Sequence, residues 1–151
     1  MLVSYPALFY YDQSEKVPFF ITFPDFTNSG TQGNDVTDAM SMATDWLGIN
    51  VADYLENNRP LPAPSTLEEI SLAKNNPYPE DLKYDSKRSF KSMVLVDLDS
   101  YLKGDIKIKK TVSIPKWADR AGADLHINYS ATLTEAIAQA KMLHDSKIMN
   151  K

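Results

Sequence analysis

Lys107-Ile108-Lys109-Lys110-Thr111-Val112-Ser113-Ile114-Pro115 decides how the rest of the chain is read. With a period of two, one face carries Ile106, Ile108, Val112 and Ile114, and the other carries Lys107, Lys109, Thr111 and Ser113. That alternation predicts a half-buried strand. Its polar face is basic and hydroxylic, which suits phosphates and base edges. Lys110 breaks the parity, but a lysine at the periphery can snorkel to water. Pro115 stops the strand and suits the first turn of a helix.

Outward from this stretch, Trp117, Ala118, Ala121 and Leu125 share one face of a short helix. Asn128 can cap a second helix that buries Leu133, Ala136, Ile137 and Ala140. Neither helix is long enough to be stable alone, and the strand has no partner within the tail. A second copy supplies both: two strands pair antiparallel and four helices close one core. The tail is therefore expected to be a ribbon-helix-helix domain that homodimerises and binds DNA. Lys107, Lys109, Thr111 and Ser113 would face the major groove, with Asn128, Tyr129 and Ser130 at the second helix start holding phosphate.

Charge divides the chain in the same place. Residues 1–105 hold 16 acidic and 8 basic residues, a net −8, and residues 106–151 hold 4 and 8, a net +4. An acidic body with a basic tail suggests two partners of opposite sign, a basic one for the body and nucleic acid for the tail. There is no cysteine, which excludes disulfides and thiolate metal sites. No apolar run approaches a membrane span, and the first residues lack signal-peptide character, so a cytoplasmic protein with no membrane association is expected.

The body reads as α+β. Residues 2–11 and 16–23 are rich in strand formers and flank a hairpin loop at Asp12–Glu15. A loop at 28–34 leaves room for a short third strand. A helix starts at Asn34 or Asp35, with Val36, Ala39, Met40, Ala43, Leu47 and Tyr54 at helical spacing. Three alternating prolines, Pro60, Pro62 and Pro64, then stiffen the chain. Ser65-Thr66-Leu67-Glu68 has capping-box spacing and predicts a short helix to Leu72. Residues 73–90 read as an irregular excursion, and 92–98 as a further strand. Asp99–Asp105 would be a hinge between domains at 1–102 and 103–151.

Candidate chemistry in the body is sparse. Asp97 and Asp99 could share an ion if both lay on a strand. No histidine or glutamate accompanies them at useful spacing, and no glycine-rich phosphate loop exists. His126 and His144 have no acid or nucleophile at useful spacing. No cofactor, no catalytic residue and no enzymatic activity are expected.

Four stretches in order resemble one family: Tyr5-Pro6-Ala7-Leu8-Phe9; Phe23-Pro24-Asp25-Phe26 followed by Thr31-Gln32-Gly33 before a helix; Leu61-Pro62-Ala63-Pro64-Ser65; and the tail from Lys109 to Ala140. The chain is similar to HicB, the antitoxin of the bacterial HicA–HicB toxin–antitoxin pair, in the branch with a ribbon-helix-helix tail. The resemblance implies that 1–102 is a partial ribonuclease-H-like toxin-binding domain without that activity. Its partner would be a small basic HicA-like toxin, an mRNA interferase whose RNA-cleaving surface it covers. The tail would repress its own operon through operator DNA. Tyr11, Asp12, Asp25 and Phe26 are the expected toxin-facing residues. Two alternatives stand beside this: a ribonuclease-H-like nuclease holding magnesium on Asp12, Asp97 and Asp99, and a ligand-responsive transcription regulator with no toxin partner.

Overall fold

The computed structural model describes residues 1–102 and 107–149. The chain divides into two compact units, Met1–Leu102 and Lys103–Lys151. The first is a four-stranded antiparallel sheet in the order β3-β2-β1-β4 with one long helix. Its elements are β1 (Leu2–Tyr11), β2 (Phe19–Thr22), β3 (Thr31–Gly33), α1 (Val36–Glu56) and β4 (Phe90–Asp97).

β1 is the spine of the sheet. It pairs with β2 from Leu8↔Thr22 to Tyr11↔Phe19 and with β4 from Leu2↔Asp97 to Phe9↔Phe90. From Pro6 to Tyr11 every side chain is buried, so this stretch is covered on both faces. Pro6 sits before the start of the β2 pairing, where its missing N–H costs no ladder bond on that side.

The odd-numbered face carries Val3, Tyr5, Ala7 and Phe9, joined by Val94 and Val96 of β4. α1 covers it with a small-residue face of Ala39, Ala43, Leu47, Gly48, Val51 and Ala52. Asp35 caps the helix by accepting from Asp38 N–H (2.8 Å), and Asp38 in turn accepts from Asn34 N–H (2.7 Å). Asn58 closes the other end of α1 from the left-handed region, at a φ of 51°. Its N–H bonds to Leu55 C=O (3.2 Å), and Arg59 N–H bonds to Tyr54 C=O (2.8 Å). This is a Schellman turn.

The even-numbered face has a second, smaller core. Leu8, Tyr10 and Ile70 are buried together, with Phe20, Leu67, Leu72, Leu82 and Tyr84 packed around them. The segment that supplies this cover has turns but no helix or strand between Leu61 and Ser89. The helix expected over 65–72 does not form. Lys91 Nζ donates to the Leu67 and Ile70 carbonyls (2.6 and 3.0 Å), the first of them the acceptor that Ser71 would use in that helix. Ser71 N–H turns instead to Asn75 Oδ1 (2.9 Å), and beyond the expected helix Lys74 N–H bonds to Ser71 Oγ (3.0 Å). The side-chain capping contact falls one residue later than expected, from Thr66 to Glu69 (2.7 Å). β2 is also shorter than the expected 16–23, because Pro18 cannot donate to a ladder.

The second unit holds α2 (Lys116–Asp124) and α3 (Tyr129–Met149). Asn128 Oδ1 accepts from Ala131 N–H (3.1 Å) as an N-cap. α2 closes through a Schellman turn at His126, whose φ is 52°. Within the single chain, residues 107–114 form no strand and are exposed throughout. Ile108 is 76% exposed, Trp117 73% and Leu125 71%, so the apolar faces expected to be buried are open in one copy. The expected hinge lies partly, and Ile106 wholly, outside the described residues.

Candidate functional site

The hairpin end of the first unit holds an open cleft of about 270 Å³. Its floor is aromatic: Tyr10, Phe20 and Tyr78. Its rim is charged: Asp12, Glu15, Asp81 and Lys83. Tyr10 lies 6.4 Å from Phe20 and 5.0 Å from Tyr84 between ring centres, and its hydroxyl donates to Leu72 C=O (2.9 Å). Burial pushes this phenol far above its ordinary value, so it stays a neutral donor.

Asp12 is fixed by the turn itself. Its N–H closes the hairpin on Pro18 C=O (2.8 Å), and its Oδ1 accepts from Ser14 Oγ (2.6 Å) and Ser14 N–H (2.8 Å). These two bonds hold its carboxyl below the usual aspartate range. Tyr78 is 55% exposed and lies 6.1 Å from Phe20. It also borders a second, polar cleft with Asn28, Ser29, Asn75 and Asn76. Three carboxylates and one lysine line the cleft together with aromatic rings, groups whose chemistry suits a cationic side chain.

The four residues expected at a toxin surface are not brought together. The β1–β2 register puts Tyr11 and Asp12 at the hairpin end, and Asp25 and Phe26 beyond the other end of β2. Phe26 is 6% exposed and lies within 4.7–5.8 Å of the rings of Tyr5, Trp46 and Tyr54, so it is a core residue. Tyr11 is buried as well, with Phe19 at 5.0 Å and the Arg88 guanidinium 3.7 Å over its ring. Asp25 grips the proline-rich stretch, accepting from Ser65 N–H (2.9 Å) and Ser65 Oγ (2.6 Å). Of the four, Asp12 alone lines the cleft. Glu15, Tyr78 and Asp81 were missed in the sequence. The one signal for Tyr78 is an aromatic residue set between Pro77 and Pro79.

The aspartates of the nuclease alternative lie apart. Asp97 pairs with Leu2 at one end of β1, and Asp12 follows Tyr11 at the other. Ten residues of strand, roughly 33 Å, separate them, too far to share an ion. Asp99 lies in a helical turn after β4, and Asp97 and Asp99 both bind the Met1 ammonium (2.8 and 2.6 Å). Among the described residues no group of three or more histidine or carboxylate side chains could hold a metal ion.

In the tail, Lys107, Lys109, Thr111 and Ser113 are exposed. Asn128 and Ser130 sit at the start of α3. Tyr129 is engaged within the unit: its hydroxyl donates to Asp119 C=O (3.1 Å) and crowds Gly122, where a Cβ would fall 2.2 Å away. Desolvation, followed by the charge of Asp119, raises its phenol. No helix among the described residues is long and apolar enough to cross a membrane.

The chain is thus a mixed α+β unit with a small antiparallel sheet and a charged aromatic cleft, followed by a basic helical unit. The family model described as "HicB_like antitoxin of bacterial toxin-antitoxin system" matches residues 4–85, more than half of the chain, and the chain belongs to that family. A chain of the toxin–antitoxin complex from Streptococcus pneumoniae is 48% identical, with a TM-score of 0.66, over 93% of this chain and 100% of that one. The antitoxin HicB of Burkholderia pseudomallei shares the fold at 23% identity and a TM-score of 0.57, over 91% of this chain and 98% of that one. No curated protein matches the chain.

Proposed function

We propose that this HicB-like antitoxin neutralises a small basic HicA-like mRNA interferase and represses its own operon. The first unit, residues 1–102, is the toxin-binding domain, of the partial ribonuclease-H-like kind. The acidic aromatic cleft takes a basic side chain from the toxin's RNA-cleaving surface, and the surrounding body blocks access to RNA. The observation that carries this reading is the convergence of Asp12, Glu15 and Asp81 on an aromatic floor in a body of net charge −8. Charge attraction speeds the encounter, and the aromatic contacts slow release.

The tail, residues 103–151, pairs with a second copy. The support is the open apolar face: Ile108, Val112 and Ile114 are 76, 60 and 45% exposed in one chain, which a soluble tail covers by association. Pairing turns Lys107, Lys109, Thr111 and Ser113 of both copies toward one major groove, with Asn128 and Ser130 near the flanking phosphates.

The test is RNA cleavage by the toxin encoded beside this gene. The full chain is expected to abolish cleavage at one equivalent, and Tyr78→Ala with Asp81→Asn to need at least tenfold more. Cleavage that continues with the wild-type chain in excess overturns the antitoxin reading of the cleft.

A further inference from the structure

A second cleft, of about 270 Å³, lies between the turn at Asn28 and Ser29 and the segment from Asn75 to Tyr78. None of its lining residues is charged. Besides the Tyr78 phenol, its polar side chains are three carboxamides, Asn28, Asn75 and Asn76, and two hydroxyls, Thr22 and Ser29.

Most of these groups are spent within the fold. Ser29 Oγ donates to Phe23 C=O (2.8 Å), accepts from Phe23 N–H (2.8 Å) and lies 2.8 Å from Thr22 Oγ1, so both buried hydroxyls hold the turn. Asn76 Oδ1 accepts from Tyr78 N–H (2.9 Å), and its Nδ2 donates to Leu82 C=O (3.4 Å). Asn75 Oδ1 accepts from Ser71 N–H (2.9 Å), which leaves its Nδ2. Among the described residues the Asn28 carboxamide bonds to nothing with either half. One carbonyl acceptor and two NH₂ donors therefore remain for a ligand.

That set matches a peptide main chain. A carboxamide pairs its C=O with a backbone N–H and its NH₂ with a backbone C=O, and a second NH₂ takes a further carbonyl. A phosphate is disfavoured, because the body carries a net −8 and no cation lines this cleft. A cationic side chain meets no carboxylate here, and an apolar one leaves the amides unpaired. Tyr78, 55% exposed, lines both this cleft and the charged one. Groups packed on opposite faces of one ring lie about 7–8 Å apart, roughly two residues of extended chain.

We propose that the two clefts form one receptor divided by Tyr78. The first takes the toxin's basic side chain. The second hydrogen-bonds the main chain of the same toxin segment, about two residues away, through Asn28 and Asn75. This rests on the toxin reading of the charged cleft and adds a demand on the partner: the bound segment is extended, and uncharged where it crosses the second cleft.

Isothermal titration calorimetry of the full chain with the toxin encoded beside this gene tests this. Asn28→Gly is expected to bind about five- to tenfold more weakly, since two neutral hydrogen bonds are lost. Its melting temperature should hold, because Asn28 has a φ of 55°, which glycine adopts freely. The loss should be the same at 0.05 and 0.5 M salt, whereas the loss in Asp81→Asn should shrink with salt. Asn28→Asp keeps the acceptor, loses the donor and adds a charge, and should also bind more weakly at 0.5 M salt. Tighter binding there means that a cation fills the cleft and overturns the proposal. If Tyr78→Ala with Asp81→Asn weakens binding while Asn28→Gly binds as wild type, the second cleft takes no part: the proposal fails and the charged cleft stands. If neither changes the affinity, or the wild-type chain binds no toxin, both readings fail.

Discussion

Gly33→Ala should unfold the first unit more easily, and the geometry gives the size of the effect. A Cβ on Gly33 would lie 2.4 Å from Ala39 Cα, 2.5 Å from Ala39 N and 2.8 Å from Ala39 Cβ. These atoms belong to the first turn of α1 and cannot retreat singly. The helix start must move by about 1 Å, which opens the seam of Ala39, Ala43 and Leu47 against the sheet. Overpacking of this kind costs roughly 1–3 kcal/mol. Loss of glycine's freedom in the unfolded chain returns about 0.4–1 kcal/mol. The net loss is about 1–2 kcal/mol, or roughly 5–15 °C in melting temperature for a unit of this size. Gly48→Ala is the control. Its Cβ would lie 2.5 Å from the Tyr101 ring, which can swing aside at the cost of the Tyr101–Asp45 hydrogen bond. Alanine in a helix interior regains about 1 kcal/mol over glycine, so the net is near zero. Urea unfolding followed by circular dichroism, with unchanged m-values, measures both. A Gly33→Ala protein as stable as wild type, or more stable than Gly48→Ala, refutes the close packing of β3 on α1.

Thr111→Ala with Ser113→Ala should remove discrimination between operator and random DNA while toxin affinity holds; gel-shift titration with both DNAs checks this, and retained discrimination removes the ribbon assignment. His126→Gly should stabilise the end of α2 by about 0.5–1 kcal/mol, because glycine adopts the φ of 52° without a Cβ clash; slower amide exchange at Ile127 is the readout, and faster exchange contradicts the Schellman turn. Asp12 should titrate below the usual aspartate range because Ser14 donates to its carboxylate. A lowered folded value means that the turn gains stability above the unfolded value, near pH 4, and loses it as the pH falls through the folded one. Carboxyl carbon shifts across pH 2–6 measure this: Ser14→Ala should raise the Asp12 midpoint, and a wild-type midpoint at or above the usual range contradicts the turn geometry.

What could be read from the residues alone followed from local rules. The N-cap at Asp35, the N-cap at Asn128 and the run of strand formers in β1 each need only a short window of sequence. The excursion was opaque because its order comes from long-range acceptors. Nothing near Leu67 or Ile70 in sequence signals that Lys91 will bind their carbonyls. Phe26 and Tyr11 looked like surface aromatics because their burial depends on elements far along the chain, Trp46 and Tyr54 in one case and Arg88 in the other. The cleft combines the hairpin loop with residues 78–83, which no spacing links. The turn at His126 carries none of the usual glycine or asparagine signal. For residues 107–114 the pattern is periodic, but the single chain forms no strand there, and only the proposed pairing with a second copy would complete it.

The proposed function divides labour within one chain: the acidic body meets the toxin and the basic tail meets DNA. Parallel titrations of one protein, Asp12→Asn with Glu15→Gln and Asp81→Asn, measure it most directly. The expected result is toxin affinity at least tenfold weaker with operator affinity within twofold of wild type. Unchanged toxin affinity, or an equal loss for both partners, contradicts the account.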